Sequence, residues 1–300
     1  MLHTVELAGW KLLWLVPYRL LYFFLFAIAW LRLLRPYDPD RRVGLGYVLW
    51  VATVREAIDR LLPVASIGGG VVGVRLMRWR NLPGIPVSAS VMVEILLTVI
   101  ALYLFAAMGL ILLIGFSAAG AQYRHLLPAL LFGLPIPVLT TLLLRYGSVF
   151  ERLEGFLRPF VGLSAMSEGA VSLDRELRAC LRRGWSLLFA GGLQLVGLIS
   201  GSFEIWFVLR LFGHPIDVTA AVILESMVQA MRHLAFAVPA GLGIQEAGLV
   251  LFGHAFGVSS ELALAVSLAK RIREVLCGLP PLLSWQWLEG RRLQRLARNV

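Results

Sequence analysis

A run of ten residues, Pro239-Ala240-Gly241-Leu242-Gly243-Ile244-Gln245-Glu246-Ala247-Gly248, sets a proline, three glycines and a carboxylate between two long apolar stretches. In hydrocarbon, backbone that leaves the helix must find its partners in protein or in a water-lined cavity. A carboxylate at such a place is costly enough to mark a functional position, against the plainer reading of a kink in which Glu246 pairs with a neighbouring arginine. Hydrocarbon is the relevant solvent here: 59% of the 300 residues are apolar and 15% are charged, with a mean hydropathy of +0.79. A soluble domain does not have that composition.

A membrane helix needs about 20 apolar residues. Residues 12–34, 87–114, 126–144, 185–212 and 261–287 meet or approach that, and residues 43–62 and 216–238 are long enough but carry internal charges. Residues 63–77 and 240–256 are short and glycine-rich, and read as half-helices. The predicted fold is therefore an all-α polytopic membrane protein, with about seven long helices plus two broken or re-entrant half-helices in two inverted repeats.

The net charge of +10 does not point to nucleic acid, because the arginines fall between apolar segments, where they set topology. They cluster at Arg32 to Arg42, at Arg75 to Arg80, through residues 145–183 and from Arg291 to Arg298, and all four groups can be cytoplasmic if every segment is a net crossing. The start of the chain then lies outside, which implies a missing preceding helix or a truly re-entrant segment. The opening residues lack a basic leader, so the first helix is expected to be retained. This divides the chain into a first membrane half (1–144), a cytoplasmic linker with surface-lying amphipathic helices (145–183), a second membrane half (184–288) and a basic cytoplasmic tail (289–300).

The halves repeat a pattern of charged helix, proline/glycine break, polar turn and long helix with internal charge. Arg55, Glu56, Asp59 and Arg60 precede Pro63 and Gly68-Gly69-Gly70, and Glu94 follows; Glu225, Gln229, Arg232 and His233 precede Pro239 to Glu246, and Lys270, Arg271, Arg273 and Glu274 follow. By the arginine rule the two units run in opposite directions. Transporters build substrate sites from inverted units with discontinuous helices. Position 70 corresponds to Glu246 but is glycine, so the first half carries no acid there.

Glu225, Gln229 and Arg232 stand at i, i+4 and i+7 and share one helix face, which has to look into the bundle. Arg55 with Asp59, and Glu56 with Arg60, either neutralise each other locally or serve a ligand. Arg271 and Arg273 sit about 20 Å along the helix from Trp287, too deep to snorkel easily, and can hold a phosphate bidentately or compensate Glu246. Gln194 and Glu204 either line a pathway or bond between helices. Two distant cysteines and five histidines offer no metal spacing, and no nucleophile or nucleotide motif appears, so neither a cofactor nor catalysis is expected.

The stretches Leu224-Glu225-Ser226-Met227-Val228-Gln229-Ala230-Met231-Arg232, Pro239 to Glu246 and Ala269-Lys270-Arg271-Ile272-Arg273-Glu274 with Leu279-Pro280 resemble the membrane domain of the lysylphosphatidylglycerol synthase/flippase superfamily. Val54-Arg55-Glu56-Ala57, Leu61-Leu62-Pro63-Val64 and the Gly68-Gly69 region agree in the first half, and the nearest resemblance is to the hopanoid-biosynthesis-associated membrane proteins. The resemblance implies a lipid flippase, with hopanoid transport implicated in that branch. The superfamily pattern places an acid near Gly70, so a strictly two-fold site is in doubt, and synthesis, which in that superfamily belongs to an appended soluble aminoacyl-transfer domain, is not expected from this chain.

The resulting expectation is translocation or transport of a lipid, a hopanoid or an anionic phospholipid, through a polar cavity between the repeats of a bacterial inner-membrane protein. The substrate-binding or translocation residues expected are Glu246, Arg232, Gln229, Glu225, Arg271, Arg273, Gly241, Gly243, Arg55, Glu56 and Glu94. Membrane lipids are the expected partners, with a homo-oligomer or lipid-biosynthesis proteins as further ones. The rival readings are an intramembrane lipid-modifying transferase using Glu246 as a base, and a scaffold for hopanoid enzymes that transports nothing.

Overall fold

The computed structural model describes residues 9–62, 68–116, 120–133, 135–152, 166–235, 238 and 241–298. The described residues are helical and contain no strand. In chain order the α-helices are α1 Leu15–Leu34, α2 Leu45–Leu61, α3 Gly68–Arg78, α4 Gly84–Phe116, α5 Leu126–Gly133, α6 Pro135–Tyr146, α7 Met166–Leu181, α8 Gly184–Leu211, α9 Val218–Leu234, α10 Ile244–Gly253 and α11 Ser260–Arg298. Three described stretches are long and apolar enough to cross a membrane: Gly9–Tyr37, Gly84–Phe116 and Gly184–Leu211. Their outward residues are apolar too, Ile111 being 61% and Phe116 75% exposed, as hydrocarbon-facing surfaces are. The chain is an all-α polytopic membrane protein.

The order of long and short helices occurs twice. Helix α2 has 17 residues and α3 has 11; helix α9 has 17 and α10 has 10. At 1.5 Å per residue the short pair reach about 15 to 17 Å, half of a roughly 30 Å hydrocarbon core. Each pair is followed by a long helix, of 33 residues in α4 and 39 in α11. The prolines expected to open the two breaks, Pro63 and Pro239, lie with Val64 to Ile67 and Ala240 outside the described residues.

Two expected spans take a different form. Residues 126–144 divide into α5 and α6, because Gly133 ends one helix and Pro135 stands at the first position of the next, where its missing N–H is no loss. Residues 261–287 continue through the basic tail as one helix to Arg298. Nothing from Leu288 to Arg298 opposes that continuation except Gly290, since leucine, arginine, glutamine and alanine are good helix formers.

The helices gather into two compact units, each made of separated stretches. The first contains Met1–Phe24, Leu49–Gly73 and Ser200–Val300; the second contains Leu25–Val48 and Val74–Ile199. In the second, α7 does not leave its apolar face to lipid. Leu177, Cys180 and Leu181 pack with Ala89, Val93 and Leu96 of α4 and with Ala29 and Leu33 of α1, and the buried Asp174 carboxylate accepts the backbone N–H groups of Phe150 (3.2 Å) and Glu151 (2.8 Å). Burial of each leucine contributes about 1.5 to 3 kcal/mol, so α7 is docked on protein. Burial also pushes the Cys180 thiol up to about 11, which keeps it protonated and unreactive at neutral pH.

In the first unit, Asp59 of α2 ties down the start of α3: its Oδ1 accepts the Gly69 N–H at 2.9 Å. A Cβ on Gly69 would stand 2.5 Å from Asp59 Oδ2 and 2.6 Å from the Arg55 backbone oxygen, and the second of these cannot swing away. Gly69→Ala is expected to destabilise the protein by about 1 to 3 kcal/mol by overpacking. Thermal unfolding of the purified variant in detergent measures this; an unchanged midpoint would mean that α3 shifts freely on α2.

Candidate functional site

The first unit encloses a cluster of charge. Its centre is α11, where Ser267, Lys270, Arg271 and Glu274 follow the i, i+3, i+4, i+7 spacing of one face and Arg273 projects beside them. Each finds a partner on another helix. Lys270 Nζ donates to Glu225 Oε2 of α9 at 2.6 Å, and Gln229 Nε2 donates to the other oxygen at 2.8 Å. Both members of the Lys270–Glu225 pair are 3% exposed. The face shared by Glu225, Gln229 and Arg232 does look inward.

Arg232 opens a chain of hydrogen bonds across the second break. Its Nη1 donates to Gln245 Oε1 at 2.6 Å, Gln245 Nε2 donates to Ser267 Oγ at 2.8 Å, and Ser267 donates to Glu246 Oε1 at 2.8 Å. Arg271 Nε meets the same Glu246 oxygen at 3.3 Å, and Arg271 Nη2 donates to the Gly241 carbonyl at 3.3 Å. Glu274 lies between three arginines: Arg232 at 3.4 Å, Arg271 at 3.8 Å and Arg273 at 3.8 Å. The backbone geometry depends on glycine. Gly241 has φ +59° and Gly243 φ +79°, and a Cβ on Gly241 would stand 3.2 Å from Arg232 Nε.

Three further helices complete the cluster. Arg273 Nη2 meets Glu204 Oε2 of α8 at 3.4 Å, so Arg273 compensates Glu204 and Arg271 compensates Glu246. Arg19 of α1, almost fully buried, meets Glu56 of α2 at 3.1 Å and stacks over Tyr22, while Arg60 meets the same Glu56 oxygen at 3.0 Å. Glu56, Arg60, Arg273, Glu274, Cys277 and Gly278 line a cavity of about 10 Å³, room for about one water. Pro280 and Pro281 inside α11 remove two backbone donors beside it and free the carbonyls of Leu276 and Cys277.

Of the expected site residues, Glu246, Arg232, Gln229, Glu225, Arg271, Arg273, Gly241 and Glu56 come together here. Gly243 starts α10 with open space around its Cα, and Arg55 lies along α3, where its Cδ would be 2.7 Å from a Cβ on Gly73. Glu94 is buried in the second unit, where its backbone oxygen accepts Gln194 Nε2 at 3.4 Å. Residues outside the expected set are Arg19, Arg60, Glu204, Gln245, Ser267, Lys270 and Glu274. A charged residue inside an otherwise apolar segment was the available signal for Arg19 and Glu204.

Among the described residues joined by these pairs, six cations (Arg19, Arg60, Arg232, Lys270, Arg271, Arg273) thus face five carboxylates (Glu56, Glu204, Glu225, Glu246, Glu274), an excess of one positive charge. Five buried atoms of the cluster have no hydrogen-bond partner among the described residues: Arg19 Nε, Arg232 Nη2, Arg273 Nε, Glu204 Oε1 and Glu246 Oε2. The corner at Glu246 and Arg271 is the more open one, with side chains 28% and 20% exposed. A cluster of this kind can take an anionic or polyhydroxyl group on its spare donors while the apolar surround excludes bulk water.

The family model described as "Lysylphosphatidylglycerol synthase TM region" matches residues 4–280. The chain belongs to that family. No curated protein and no solved structure matched it. The match reaches into both units and includes every residue of the cluster, and the family is membrane-embedded and lipid-related.

Proposed function

We propose that the protein moves a lipid between membrane leaflets or delivers it onward, and that the cluster around Glu246 and Arg271 receives the polar headgroup on its way. The observation that carries this reading is the excess of buried cations with unused donors beside a helix break. Charges in a membrane interior are costly and persist where a pathway needs them. The positive balance favours an anionic phospholipid; the finer resemblance to hopanoid-associated proteins keeps a hopanoid, through its polyol headgroup, as the alternative cargo. Arg271 would meet phosphate, Arg232 and Gln245 would hold Glu246 in register through Ser267, and Gly241 would let backbone approach the headgroup. The two helix pairs α2–α3 and α9–α10 would act as inverted halves of a transporter in a bacterial inner membrane.

This is a carrier's role and not a catalyst's. Glu246 Oε1 already accepts from Ser267 and Arg271, so this oxygen is engaged by donors of the protein itself. Purification in mild detergent followed by mass spectrometry of bound lipid tests the reading. An anionic phospholipid or hopanoid enriched over the membrane average, and reduced at least about tenfold in Arg271→Ala, is expected. Turnover of the lipid to a new chemical species by purified protein would favour the transferase instead.

A further inference from the structure

A second feature of the first unit lies away from the cluster. Residues Trp10, Trp14, Leu15, Phe203, Phe207 and Leu211, with Pro17 and Tyr18, wall a groove of about 660 Å³ between the start of α1 and the end of α8. That volume is in the range of pockets that hold small ligands. Its described walls are carbon, and among the described residues that line it Lys11, which is exposed, carries the charge. Trp10 and Trp14 are 68% and 61% exposed, the position that tryptophans take at the level of lipid headgroups.

The groove runs for about 14 Å from Trp10 to Tyr18, along the 3-10 helix Gly9–Trp14 and into the first turn of α1. There it is closed: the Tyr18 hydroxyl donates to the Ser200 carbonyl, and its ring lies 5.3 Å from that of Phe203. The next residue is Arg19, already held by Glu56. So a hydrocarbon chain in the groove would end against Tyr18 without meeting the buried charges, and Lys11, on the groove's own lining at the interfacial end, is placed to meet a charged headgroup.

We propose that this groove binds one acyl chain of an anionic phospholipid, whose phosphate is held by Lys11. Both halves of the occupant are dictated by the lining: an apolar slot open to the bilayer takes hydrocarbon, and a lysine at headgroup level takes an anion. The site is separate from the cluster and its test reads binding alone, so failure of the transport reading leaves it standing and its own failure leaves that reading untouched.

The experiment uses the full chain in vesicles of mixed phosphatidylcholine and phosphatidylglycerol, with bromine on the acyl chains of one lipid at a time. Bromine quenches tryptophan at contact, and the share owed to Trp10 and Trp14 is found with the Trp10→Phe/Trp14→Phe variant. Brominated phosphatidylglycerol is expected to occupy the site about fivefold better than brominated phosphatidylcholine, the preference one interfacial lysine supplies. Lys11→Gln removes that preference and Lys11→Arg keeps it. Equal quenching by the two lipids in the unsubstituted protein would show ordinary boundary lipid and overturn the proposal. Protection of Trp10 and Trp14 from both lipids, as by a second copy of the chain, would overturn it too, as would a preference that survives Lys11→Gln.

Discussion

Lys270→Met is expected to destabilise the protein by about 3 to 5 kcal/mol, the largest loss from any single change in the cluster. Lys270 Nζ and Glu225 Oε2 are 2.6 Å apart and both side chains are 3% exposed, so removing the ammonium leaves a carboxylate with neither solvent nor a direct ion-pair partner among the described residues. Gln229 still donates one hydrogen bond to Glu225, which is too little to replace a charge. The double variant Glu225→Gln with Lys270→Met deletes both charges and is expected to recover most of the loss. Unfolding of both singles and the double in detergent micelles checks this, and additive losses would mean that the two residues do not act as a pair.

The second large effect is on activity. Glu246→Gln is expected to lower lipid movement at least about tenfold while costing no more than about 1 kcal/mol of stability. The small stability cost follows from the partners of Arg271. Besides Glu246 it has Glu274 at 3.8 Å and the Gly241 carbonyl at 3.3 Å, and it is 20% exposed, so the loss of Glu246 does not strand a cation. The amide keeps the acceptor for Ser267 and for Arg271 but raises the net positive charge of the cluster, so a bound anion would be held more tightly and released more slowly. A loss of 3 to 5 kcal/mol would instead identify Glu246 as a structural counter-ion. The double variant Glu246→Gln with Arg271→Gln would then regain stability.

Local order was legible in the sequence wherever one physical rule governed it. The long, largely apolar run of residues 87–114 gave α4 within a few residues, and the Glu225, Gln229, Arg232 spacing gave a shared inward face because helical periodicity alone decides it. The half-helix Ile244–Gly253 followed from the glycines before it. Pairings were harder. Lys270 and Glu225 are 45 residues apart and Arg19 and Glu56 are 37 apart, and which acid meets which base depends on how helices pack. Glu94 shows the same limit: a buried acid after the first break looked like its counterpart in the second half, yet it belongs to the other unit. The division of α5 from α6 was masked by continuous hydropathy, although Gly133 and Pro135 supplied the signal.

The central claim, that the buried cluster serves lipid movement, is tested most directly by reconstitution. The protein is placed in vesicles with headgroup-labelled phosphatidylglycerol or phosphatidylcholine, and the fraction of label reachable by an impermeant quencher is followed over time. The account predicts protein-dependent movement that favours phosphatidylglycerol and falls at least about tenfold in Glu246→Gln protein of near-normal stability. No protein-dependent movement of any lipid tested, a hopanoid included, or full movement in Glu246→Gln, would contradict it.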